Sequence, residues 1–130
     1  MASAPAYAAN VRIDHGQVAT ANTNRDGTGT LATIATGVAA GTLVYSVRVQ
    51  ATVTTTAGMV RLFISTDGGT TKRLVDEIPI SAVTVAANTP AFSDVRVYEH
   101  LFLPSTNAVL YASTHNAEAI NVLASCGDLT

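Results

Sequence analysis

Between Leu43 and Thr54 the chain alternates with a period of two. Leu43, Tyr45, Val47, Val49, Ala51 and Val53 stand in one phase, with Val44, Ser46, Arg48, Gln50, Thr52 and Thr54 in the other. A strand turns successive side chains to opposite sides, so this pattern predicts one buried and one wet face, with Tyr45 on the buried one. A helix would spread the same apolar residues around its whole cylinder. Val, Thr and Tyr also suit a pleated surface.

The same logic extends along the chain. Met59 to Ser65, Lys72 to Ile80, Ala91 to Tyr98, Ala108 to Thr114 and Ala119 to Ser125 read as strands, each bounded by Gly, Pro, Asn, Asp or Thr at the reversals. Val11 to Thr20 and Thr30 to Thr36 add two more, interrupted or ended by Gly16 and Gly37. About eight strands at hairpin spacing predict an all-β chain, an antiparallel β-sandwich of jelly-roll type. No segment keeps an apolar period of 3.6, and the Ala-rich pieces Ala2 to Ala9 and Val85 to Ala87 are short and run into Pro5 and Pro90. Residues 1–10 therefore read as an extended arm with Tyr7 as its one large anchor, and residues 11–130 as one sandwich domain.

Composition narrows the function. Charged residues make up 12% of the chain, about half the usual share, so much of the surface must be Thr, Ser, Asn and Ala. Such a surface loses little hydration when another protein covers it, which favours oligomers and lasting interfaces. Aromatic residues are only 5%, without Trp, so the core is built of thin aliphatic side chains, and burial between subunits would add to it. The net charge is −2 and the seven Lys and Arg residues are scattered, which leaves no footprint for a phosphate backbone. MASAPAYAAN has neither a basic n-region nor an apolar h-region, and no later run is long enough to span a membrane. Synthesis and folding in the cytoplasm are expected, in keeping with a single Cys126 that has no partner for a disulfide.

Three constellations invite a chemical reading. Asn22, Asn24, Asp26 and Gly27 match the first half of a calcium loop, but the twelfth position is Thr33 where a bidentate Glu is needed, so a solvated loop is expected. His115, Asn116 and Glu118 share one tight loop with Cys126 at the end of the next strand. A Cys/His pair needs a pocket where nucleophile, base and oxyanion donors converge, and hairpin tips are poor pockets. His15 and His100 stand alone. The segment Ser65-Thr66-Asp67-Gly68-Gly69-Thr70-Thr71 resembles the Asp-box, a hairpin motif of sialidases and many unrelated β-proteins, with Lys72 in place of the usual aromatic. Its expected role is structural: Asp67 accepts hydrogen bonds from loop N–H groups while Gly68 and Gly69 take positive φ. No residue is assigned to catalysis, to a cofactor or to a metal, and no enzymatic activity is expected.

NRDGTGT from Asn24 to Thr30, TTTAGMVRLFIS from Thr54 to Ser65, EIPISAVT from Glu77 to Thr84 and YASTHNAEAINVLASCGDL from Tyr111 to Leu129 together resemble a recurrent family of tailed-bacteriophage virion proteins. For a chain of this size the resemblance implies a head decoration, or cement, protein: a β-rich homotrimer on a local threefold axis, bound to the major capsid protein and located in the virion. The alternative is a tail or fibre adhesin that recognises a host glycan. That function needs exposed aromatics to stack on sugar rings, and few aromatics are available.

Overall fold

All eight expected runs form strands in the computed structural model, which describes residues 10–130. They are β1 (Asn10–Val18), β2 (Ala32–Thr36), β3 (Thr42–Ala51), β4 (Gly58–Ser65), β5 (Arg73–Ile80), β6 (Ser93–Val97), β8 (Val109–Thr114) and β9 (Ile120–Asp128). The two-residue β7 (Phe102–Leu103) is an addition. The proposed arm lies outside the described residues except for Asn10, which opens β1 opposite Asp128.

Pairing is nested. β4 pairs with β5, β3 with β6, β2 with β8 and β1 with β9, all antiparallel, as if one long hairpin had been rolled up. The result is two sheets, β1-β9-β3-β6 with β7 also on β3, and β2-β8-β4-β5, in the strand order of a jelly roll. Between them lies the aliphatic core that the composition implies. Val47, Val49, Val60, Leu62, Ile78, Leu110 and Val122 are all fully buried in it.

Hydrogen-bonded polar groups close both open sides of the sandwich. Beside β1, Arg12 reaches Asp128 through Nε (3.1 Å), Asp14 through Nη1 and the Thr36 carbonyl through Nη2 (2.8 Å). The Thr42 hydroxyl also donates to Asp128, at 2.8 Å. These partners keep Arg12 protonated and hold the Asp128 carboxyl below its ordinary range, the Arg12 hydrogen bond contributing most. Beside β6, the Tyr98 hydroxyl donates to Asp76 at 2.9 Å and so ties the edge of one sheet to the edge of the other. Burial first, then this bond, raises the Tyr98 phenol.

The central alternation is corrected at one point. Val47, Val49 and Ala51 are buried as expected, but Tyr45 is 42% exposed and Val44 takes its place in the core. A bulge between Val44 and Ser46, in the pairing of β3 with β9, inserts Tyr45 as an unpaired residue and reverses the phase of everything before it. Val53 lies beyond the end of β3 and is also exposed.

Candidate functional site

The Asp-box turn is built as its residues imply. Asp67 Oδ1 accepts from the Ser65 hydroxyl and the Thr71 N–H, both at 2.8 Å, and the Ser65 oxygen accepts from the Gly69 N–H at 2.9 Å. These bonds, the Thr71 N–H foremost, hold the Asp67 carboxyl below its usual value. Gly68 and Gly69 have φ of 73° and 95°, which favours glycine at both, and a Cβ on Gly69 would come within 2.6 Å of the Tyr111 hydroxyl and displace it. Lys72, standing where the motif has an aromatic, places its ammonium 5.3 Å from the centre of the Tyr111 ring.

The Asn22 loop is largely exposed, as expected of a solvated loop, but its side chains hold it together. Asn22 is buried, its Nδ2 donating to the Thr28 and Thr30 carbonyls at 3.0 Å and its Oδ1 accepting from the Asn24 N–H. Asp26 turns its Oδ1 onto the N–H and hydroxyl of Thr28. Asn22 Oδ1 and Asp26 Oδ1 are thus engaged within the loop, and among the described residues no group of three or more His, Cys, Asp or Glu is arranged to hold a metal. The segment 19–31 instead spreads over the outer face of β2-β8-β4-β5. It is bound at Asn22 N–H to the Thr114 carbonyl (2.8 Å), at Arg25 to Glu77 (2.8 Å) and at Gly27 against the Lys72 side chain. Beneath it Phe63 and Arg61, which alternate outwards from β4, are nonetheless buried.

His115, Asn116 and Glu118 serve the neighbouring loop. Glu118 accepts from the Thr56 N–H and hydroxyl, Asn116 donates to the Ala57 carbonyl, and His115 Nδ1 lies 3.3 Å from Arg61 Nη1. Cys126 stands opposite Arg12 and Val44, six residues along β9 from the Ile120 end that follows the His115 loop, so the two never meet. Burial pushes the Cys126 thiol up to about 11, away from the thiolate that nucleophilic chemistry needs. His15 and His100 are exposed, His100 with its ring 6.3 Å from that of Phe102.

The surface that the sequence signals did not identify is the outer face of β1-β9-β3-β6. Both of its edge strands run inside out. In β1 the charged phase, Arg12 and Asp14, points between the sheets while Val11 (80% exposed) and Ile13 (60%) point to water. β6 repeats this, with Asp94 and Arg96 inward and Val95 and Val97 outward. Register aligns Val11 with Gly127, Leu43 and Phe102, and Ile13 with Ser125, Ser46 and Val97, so apolar side chains from both edges share one sheet face. Because β9 contributes only Ser125 and Gly127 to these rows, a groove of about 570 Å³ runs between Val11 and Ile13 on one wall and Tyr45 on the other. The strand residues of this face include no carboxylate, and Arg48 is their one full charge. A period of two located the strands, but an inverted phase at an edge looks the same as a normal one until the partner sheet is in place.

No protein-family model matches the chain, and no curated protein matches it.

Proposed function

We propose that the chain is a structural protein of a tailed-bacteriophage particle, a head decoration protein that acts as cement between capsid subunits. One observation carries this reading: a closed sandwich whose polar clusters are spent on its own loops and sides, and which leaves an apolar patch, from Val11 and Ile13 to Tyr45 and Val97, on a sheet face that is almost uncharged. Such a face suits lasting protein contact far better than catalysis. The resemblance of four segments, from NRDGTGT at Asn24 to the C-terminal run ending at Leu129, supplies the setting. A homotrimer can touch several copies of the major capsid protein at once, so that weak contacts multiply through effective concentration. Clamped in this way, shell subunits resist the outward pressure of packaged DNA. The experiment is to strip the protein from particles and heat them. Stripped particles should release DNA at a lower temperature than complete ones, and adding the protein back should restore them. A particle reconstruction that finds it on the tail sinks the cement role.

The exposure of Tyr45 and Phe102 favours a second reading, an adhesin that stacks these rings on a host glycan. Titrating host surface polysaccharide against the intrinsic tyrosine fluorescence tests it, and a saturable change would support it over the cement role.

A further inference from the structure

We propose that the outer face of β1-β9-β3-β6 is the surface on which copies of this chain pack against one another. The inference rests on the self-association part of the reading above and names the surface responsible.

Three observations select a second copy as the occupant. The first is extent. Val11, Ile13, Tyr45, Val95, Val97 and Phe102 together expose roughly 600 Å², the upper end of what a monomer leaves open and close to one partner's share of a stable interface. The second is charge. With no carboxylate and a single Arg48 among the strand residues of the face, two copies can meet with almost nothing charged to desolvate, whereas a strongly acidic or basic partner would find no counter-charge. The third is shape. Each copy carries both ridges, at Val11 and Val97, and the groove floored by Ser125, so one molecule supplies both halves of a complementary fit.

The edges point the same way. Inward charges on an edge strand hinder another strand from pairing alongside it, and both edges of this sheet have them, Arg12 and Asp14 in β1 and Asp94 and Arg96 in β6. Association is thereby directed to the face instead of the edge. The opposite sheet offers no equivalent, since segment 19–31 lies over it.

The test is sedimentation equilibrium on the full chain at micromolar concentration. Wild type should be oligomeric. Val11→Lys combined with Val97→Lys, two highly exposed positions that tolerate a long side chain, should weaken association about 100-fold through repulsion from Arg48 and the loss of apolar contact. Tyr45→Ser should weaken it less, and Leu74→Lys on exposed β5 of the other sheet should leave it unchanged. Circular dichroism melts of all variants establish that each is folded. If the charged double variant remains oligomeric while folded, copies meet elsewhere and the inference fails, although the structural role survives. If wild type is a monomer, the face is covered by a foreign partner or by the chain's own first nine residues, and the inference fails together with the homotrimer.

Discussion

Phe63 shows how far a single residue's surroundings depend on distant chain. It alternates outwards from β4, yet it is fully buried, on the face that segment 19–31 crosses between Thr114 and Glu77. Phe63→Ala should therefore cost about 3–5 kcal/mol, as for a ring in the main core, in a urea titration of the folded protein. Cys126 gives the opposite case, a reactive residue type made inert. Its thiol is buried in the sandwich and pushed up to about 11, so it should resist a disulfide reagent under mildly alkaline native conditions and react fully in guanidinium. Rapid labelling of the native protein would mean that the strand carrying it opens readily. Tyr45 marks what was hidden at this scale. Leu43 and Val44 are both apolar, so either phase of β3 looks buried, and the bulge that chooses between them leaves no mark in residue type.

Among the elements, the segment between β1 and β2 depends most on one side chain. Asn22 donates to two carbonyls of its own loop and accepts from a third group, all while buried. Asn22→Ala strands those groups, and a loss of about 2–3 kcal/mol is expected. Hydrogen exchange should show faster exchange within 19–31, with the amides of β3 and β9 unchanged relative to global stability. If every strand accelerates equally, the segment is part of the main cooperative unit and not a separable cover. The elements themselves were largely legible. All eight runs of alternating or apolar residues between turn formers became strands, and the Asp67 turn formed with the hydrogen bonds its residue types imply. β7 was not legible, because two residues have no periodicity and Phe102–Leu103 pairs only because β3 passes beside it.

Over the whole molecule, acid stability follows from four carboxyls. Asp128 beside Arg12, Asp67 beside the Thr71 N–H, Glu77 beside Arg25 and Asp26 beside Thr28 all lie below their ordinary values of 3.8 for Asp and 4.5 for Glu. A folded value below the unfolded one means that the unfolded chain binds more protons as pH falls. The stabilisation is thus full above the ordinary values and lost as pH drops through the folded ones. The Tm should hold through neutral pH and fall once pH is below about 4.5. Asp128→Asn should lower the neutral Tm and flatten part of that fall, since Arg12 and Thr42 then lose their anionic acceptor. By itself the sequence determined the all-β class, the strand positions, the aliphatic core and the turn chemistry, because each rests on local periodicity or on the conformational habits of residues a few positions apart. Only the tertiary structure decided which phase of an edge strand faces inwards, where β3 bulges and which sheet the 19–31 segment covers. Those choices turn on contacts such as Arg12 with Asp128 and Asp76 with Tyr98, between residues distant in the chain, where the burial of a charge is offset only once its partner is in place.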